Sequence, residues 1–140
     1  MREILFRGKR ADNDEWIEGY YAVQSNHACF ANELKYTHFI FKDVCLDFNL
    51  GGLQEFEVIP KTIGQYTGLT DKDDKKIFEG DILKVTEQNG GISIYKVVFT
   101  NGVFGTIIKN GGYAGTLVLL SKGCIEVIGN IYDNSELFEG

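Results

Sequence analysis

Apolar and polar residues alternate with a period of two along much of the chain, and glycine-containing turns separate the alternating runs. A period of two places successive side chains on opposite faces of a strand, whereas a helix would repeat every three to four residues. The runs are also rich in β-branched and aromatic residues, which favour strands. The pattern therefore predicts a mainly β protein with antiparallel sheets and little helix.

The clearest alternation lies at 124–132, where Ile125, Val127 and Ile131 share one face and Gly129 falls on the same face. A glycine at that place indicates that another part of the chain packs closely against it. One short helical turn is expected near 133–138, and the stretch 25–35 fits no single element. Further strands are expected at 15–23, 37–42, 55–59, 76–86, 92–100, 104–109 and 116–120.

Two turn sequences predict where one of these strands lies in its sheet. Asn89-Gly90-Gly91 and Asn101-Gly102 are typical of tight hairpins, since asparagine and glycine tolerate positive φ. They flank the strand at 92–100, which has apolar residues on both faces. We therefore expect this strand to be central.

Composition limits the class of protein. The 140 residues are 44% hydrophobic and carry a net charge of -6, so the chain can bury a core and its charge disfavours nucleic acid as the main partner. No apolar run approaches the length of a membrane span. The three cysteines, Cys29, Cys45 and Cys124, fit free thiols in a reducing cytoplasm.

We expect a single domain over 1–140, and Pro60 offers an alternative division into an N-terminal lobe, 1–59, and a C-terminal β unit, 60–140.

No group of residues predicts catalysis or a metal. The acidic cluster at 71–76 lacks the glycine and the final carboxylate that a calcium-binding EF-hand loop requires. Four residues have the chemistry of zinc ligands, but their spacing matches no known type of zinc site. Cysteine, His38 and Asp43 supply residue types for a nucleophile, without a recognisable motif. We predict no catalytic residues, metal or cofactor. The four zinc-type residues are His27, Cys29, His38 and Cys45.

Aromatic residues are the most distinctive part of the composition. Trp16 with Tyr20 and Tyr21 forms the richest local concentration, which predicts a subunit interface. A stacking platform for unpaired bases is the alternative, but basic residues are not interleaved with the aromatic ones.

Three segments taken together resemble the YopX family of phage and prophage proteins, over nearly the whole chain. The resemblance implies a mostly antiparallel β protein that acts in a bacterial cytoplasm, forms homo-oligomers and has no assigned catalytic residues. The residues that carry it are Phe6-Arg7-Gly8-Lys9 with Trp16-Ile17-Glu18-Gly19-Tyr20-Tyr21, Val58–Asp71 with Lys76–Ile82, and Val127–Asn134.

The central shared segment admits two interpretations. Gly64 and Gly68 allow a bend around Gln65-Tyr66-Thr67, and the Asp81 carboxylate can accept backbone N–H groups near a turn. An SH3-like or pseudo-barrel unit from about 62 to 132 would accommodate this order. If the side chains of Gln65, Tyr66, Thr67 and Asp81 instead face one cleft, they form a binding site.

Three functions follow from these features. The first is a non-enzymatic accessory protein of a phage or prophage that forms a homo-oligomer and binds a host or phage protein. The second is a β module that binds nucleic acid or mimics its charge. The third is a small hydrolase or metal enzyme.

Overall fold

The computed structural model describes residues 2–26, 35–46 and 50–139, and of residues 26, 44–46, 50 and 51 it describes the backbone alone. Within this part of the chain the protein is mainly β, with two antiparallel sheets that do not close into a barrel and one short helix, α1 (Ser135–Glu139). The predicted class, mainly β with antiparallel sheets and little helix, is therefore confirmed, and α1 lies where one helical turn was expected. The SH3-like or pseudo-barrel unit expected from about 62 to 132 does not form a closed barrel, because the sheets stay open. None of the described helices is long and apolar enough to cross a membrane.

The chain divides into two compact units, which meet in sequence at Gln65 and Tyr66. The prediction of a single domain, or of lobes 1–59 and 60–140, stays a prediction. In the first unit the strand order is β4-β3-β2-β1-β5, and every pair is antiparallel. Its strands are β1 (Phe6–Lys9), β2 (Trp16–Asn26), β3 (Lys35–Leu46), β4 (Leu50–Glu57) and the start of β5 (Gly64–Thr70).

The core of the first unit is small and lies on one face of this sheet. Ile17, Ile40 and Val58 are buried there, and the partly buried side chains of four neighbours pack against them. Alternation along β2 and β3 places Ile17 and Ile40 on the same face. The four neighbours are Phe6, Tyr21, Phe56 and Ile63.

The second unit contains the rest of β5, which pairs with β6, and a five-stranded sheet of order β10-β9-β8-β7-β11. β8 lies at the centre of this sheet, so the prediction from the two flanking turns is confirmed. Asn101 and Gly102 both have positive φ, as a tight hairpin requires. The strands are β6 (Lys76–Phe78), β7 (Asp81–Thr86), β8 (Ile92–Thr100), β9 (Val103–Ile108), β10 (Tyr113–Thr116) and β11 (Ile125–Asn130).

Two predicted strands were wrong. The single strand expected at 76–86 is interrupted at Glu79-Gly80, because Gly80 adopts a φ of 86° and turns the chain between β6 and β7. The run expected to be a strand at 116–120 is a 3-10 turn, Leu117–Leu119, after β10. Leu117 is fully buried there, whereas Val118 and Leu119 are exposed, which does not fit a strand with one buried face. The short strands β1 and β5 were not predicted.

The packing inferred at Gly129 is confirmed. A Cβ atom at this position would lie 2.5 Å from the Asn134 Oδ1 atom. The same oxygen accepts a hydrogen bond from the Asn130 N–H at 3.2 Å. Glycine therefore allows the segment before α1 to pack against the end of β11.

Asp71 closes the open edge of β11. Its carboxylate is buried and accepts three backbone hydrogen bonds, from Asp73 and Lys75 on Oδ1 and from Val127 on Oδ2. The N–H of Lys72 also donates to the Ile125 carbonyl. Two outward-facing groups of the edge strand are thus satisfied by the loop that follows β5, which keeps other strands from pairing there.

The ionisation of Asp71 contributes to stability. Burial raises the pKa of its carboxyl, but the N–H groups of Val127, Lys75 and Asp73 outweigh burial and hold the pKa below its ordinary value of 3.8. A pKa that is lower in the folded than in the unfolded protein adds stability above pH 3.8, and this stability is lost as pH falls through the folded value.

We therefore expect acid to destabilise the wild-type protein more steeply than Asp71→Asn. Thermal unfolding would be measured from pH 6 down to about pH 2.5, a range that spans the ordinary carboxyl pKa. The two melting temperatures should converge in acid, since the variant lacks the ionised group. Parallel curves through the whole range would show that this carboxylate makes no net contribution.

Candidate functional site

The solvent face of the first sheet carries a group of aromatic side chains. Tyr20 on β2 lies directly opposite Phe41 on β3, and the ring of Phe39 lies 6.3 Å from that of Phe41. The side chains of Tyr20 and Leu53 are 56% and 58% exposed. We call Trp16, Tyr20, Phe39, Phe41 and Leu53 the aromatic face.

Cations lie over one end of the aromatic face. The guanidinium carbon of Arg7 lies 4.8 Å from the centroid of the Trp16 ring, and the Lys9 Nζ lies 5.5 Å from it. Lys9 is the direct cross-strand neighbour of Trp16. These distances are those of cation–π contacts, so the indole is held between β1 and β2 by charged neighbours.

A glycine determines how closely β2 approaches β3 beside the aromatic face. A Cβ atom on Gly19 would lie 2.1 Å from the Phe41 carbonyl oxygen and 3.0 Å from the Ile40 side chain. Real Cβ atoms do not approach a backbone atom so closely, so a side chain at this position would push the strands apart. Gly19 thereby positions Tyr20 against Phe41.

The three residues predicted to form an interface do not share a face. Trp16 and Tyr20 lie on the aromatic face, whereas Tyr21 points to the opposite face, where its ring packs 5.2 Å from that of Phe6. The Tyr21 hydroxyl is 2.6 Å from the His38 Nδ1 atom. Burial raises the pKa of the Tyr21 phenol. The interface prediction itself remains untested.

An open cleft of about 450 Å³ lies between β4 and the turn after β1. The Arg10 guanidinium stacks on the Phe56 ring at 4.7 Å and forms two hydrogen bonds with the Asp12 carboxylate, at 2.9 and 2.6 Å. These hydrogen bonds hold the pKa of Asp12 below its ordinary value. Arg10 and Asp12 thus form one wall of the cleft, and Gln54, Glu55 and Glu57 line the other side.

The residues of the predicted binding site make contacts within the fold. The Tyr66 ring is buried 5.6 Å from that of Phe78, and the Thr67 hydroxyl donates to the Ile77 carbonyl at 2.8 Å. Asp81 is buried and accepts the Phe78 N–H at 2.8 Å, as its position near a turn indicated. Gln65 is half-buried. None of the four lines the cleft beside β4.

The zinc-type residues cannot be compared as a set. His27 and Cys29 lie outside the described residues, and of Cys45 the backbone alone is described. His38 lies beside the Tyr21 hydroxyl. Within 2–26, 35–46 and 50–139, no three His, Cys, Asp or Glu side chains lie together as metal ligands would.

Comparison with protein families identifies the chain. The YopX family, described as YopX protein, matches residues 5–139. The chain belongs to the YopX family. No curated protein matches it. A solved structure with a similar fold is protein EF1440 from Enterococcus faecalis, with 21% sequence identity and a TM-score of 0.56 over 99% of this chain and 100% of that one.

The shared residues of the YopX segments can now be placed in the structure. Gly19 permits close strand packing, Asp71 closes a strand edge and Asp81 accepts a turn N–H. Gly68 and Gly80 both have positive φ. These motif positions therefore have structural contacts, whereas the cleft residues Gln54 and Glu55 lie in a part of the chain that no motif marked.

Proposed function

We propose that this YopX chain is a non-enzymatic protein-binding module that forms homo-oligomers through the aromatic face. The observation that carries the proposal is the exposure of Tyr20 and Leu53 on a face that also presents Phe39 and Phe41. Exposed aromatic groups that lie together are typical of protein interfaces. We further propose that it acts in the bacterial cytoplasm as an accessory protein of a phage or prophage and binds a host or phage protein, as its family resemblance implies.

Charge on the same face favours protein over nucleic acid as the partner. Alternation and register place Glu18, Glu55 and Glu57 on the side that carries Tyr20. A nucleic acid that stacked on Tyr20 would bring its phosphates near these carboxylates, which costs electrostatic energy. A protein surface has no such uniform charge. We therefore propose that the surface around Tyr20 binds protein and not nucleic acid.

Light scattering on the purified chain tests the proposal. At tens of micromolar we expect a mass at least twice that of one chain, and about a tenfold weaker self-association for Tyr20→Ser combined with Leu53→Ser. Both side chains are more than half exposed, so their replacement should leave the fold intact.

Tyr36→Ser is the matched control. Tyr36 is 59% exposed on the same hairpin, but register places it on the opposite face of the sheet, so this variant should associate as the wild type does. A wild-type monomer at these concentrations would overturn the oligomer. Loss of association in Tyr36→Ser alone would assign the interface to the other face.

A further inference from the structure

Among the strands that the structure describes, none pairs with the outer edge of β4 at Leu53 and Glu55. In the order of the described strands, β4 is the last of its sheet, and it pairs with β3. The Val58 N–H donates to the His38 carbonyl, so by antiparallel alternation the N–H and C=O groups of Phe56 and Gln54 face β3. Those of Leu53 and Glu55 face outward. Within the described part of the chain, these two residues make no hydrogen bond on that side.

Neither a very short strand nor a proline protects this edge, and the charges beside it are the carboxylates of Glu55 and Glu57. β4 has eight residues and contains no proline. Its end at Glu57 is closed, because the Glu57 carbonyl accepts the Ala11 N–H at 2.9 Å. A second strand placed beside Leu53 and Glu55 would end where it reaches Ala11. The cleft of about 450 Å³ lies at this point, between the turn and β4.

The charge of the cleft indicates what could occupy it. Glu55, Glu57 and Asp12 contribute three carboxylates, whereas Arg10 is the one cation among the lining residues and is already paired with Asp12. Glu55 and Glu57 are two residues apart and so project from the same side of β4. An extended chain with basic side chains at alternate positions would match this spacing.

We propose that an extended basic peptide binds by adding a strand to the outer edge of β4. Its backbone pairs with the outward N–H and C=O groups of Leu53 and Glu55, and its basic side chains lie beside Glu55 and Glu57. Main-chain hydrogen bonds supply affinity and alternate side chains supply selectivity, as in other cases of strand addition. This site adjoins the aromatic face, because Leu53 belongs to both and Glu55 and Glu57 lie on the side that carries Tyr20. A test that changes the peptide and leaves the protein unchanged therefore separates strand addition from self-association.

Fluorescence anisotropy with a labelled peptide of alternating lysine and threonine tests this assignment on the full chain. We expect saturable binding to the wild type and about tenfold weaker binding to Leu53→Pro, which removes an outward N–H without changing any charge. Leu53→Ala is the control, because it loses the same side chain but keeps the N–H group, so Leu53→Pro should bind about tenfold more weakly than Leu53→Ala. Glu55→Gln should weaken binding about threefold, since it removes one of the facing charges.

A second measurement leaves the protein unchanged. The same peptide, methylated on alternate backbone nitrogens, keeps its charge but cannot pair with a strand edge, and it should bind at least about tenfold more weakly. No binding of the unmodified peptide would overturn the proposal. Equal binding of the methylated peptide, or of a peptide with glutamate in place of lysine, would overturn it as well, because neither can make the proposed contacts.

Discussion

Gly19→Ala is expected to lower the free energy of unfolding by about 3 kcal/mol, because the new methyl group would overlap a backbone atom. The Cβ atom would lie 2.1 Å from the Phe41 carbonyl oxygen, and a backbone oxygen cannot move aside as the end of a flexible side chain can. Either β2 and β3 separate at this point or the small core at Ile40 is disturbed. Thermal unfolding should show a fall of about 10 °C in melting temperature.

Gly52→Ala is the matched control for this prediction. Gly52 lies in β4 of the same unit, but no atom of the described residues lies within 4 Å of the position that its Cβ would take. The melting temperature of this variant should stay within about 2 °C of the wild type, since a substitution at an open surface position changes stability little. If the two variants unfold at the same temperature, the close approach of β2 to β3 is not as described.

Asp71→Asn is expected to cost about 3 kcal/mol at neutral pH. The carboxylate accepts three backbone N–H groups, and an amide has one oxygen with which to replace the two. Its NH₂ group would face at least one donor, such as the Val127 N–H, which would then be left without a partner. A lost hydrogen bond to a charged group costs about 1.5–3 kcal/mol, and the unsatisfied donor adds to this.

Asp73→Asn removes the same charge from the same loop and serves as the control. Asp73 is exposed, so we expect a change of less than about 0.5 kcal/mol. Denaturant unfolding at pH 7 measures both variants. A loss of stability in Asp73→Asn as large as in Asp71→Asn would show that the net charge of the loop, and not the hydrogen bonds of Asp71, matters.

Local sequence predicted the position of a strand correctly where recognisable turn sequences flank that strand. β8 was predicted with both ends correct, because Asn89-Gly90-Gly91 and Asn101-Gly102 flank an unbroken apolar run. The break at Gly80 was missed, because Lys76–Thr86 keeps an apolar pattern on both sides of it and a glycine alone does not distinguish a turn from a bulge.

The candidate sites could be predicted in part. Alternation along β2 separates Tyr21 from Trp16 and Tyr20, so the division of these three residues between two faces follows from a period of two. The meeting of Tyr20 with Phe41 depends on the register of β2 against β3, which is a contact between distant segments. The open edge depends on which strand ends the sheet, and residues 50–57 contain no signal of that position.

The carboxylate of Asp71 also limits how far strand pairing can extend the five-stranded sheet. A fibril that grows by strand pairing needs two free borders on each sheet, so that every new copy offers a place for the next. In the five-stranded sheet, the border at β11 is occupied by the chain's own loop, and the opposite border is the four-residue β10. If two copies pair through β10, neither five-stranded sheet has a second free border. Growth by strand pairing through this sheet would therefore end at two copies.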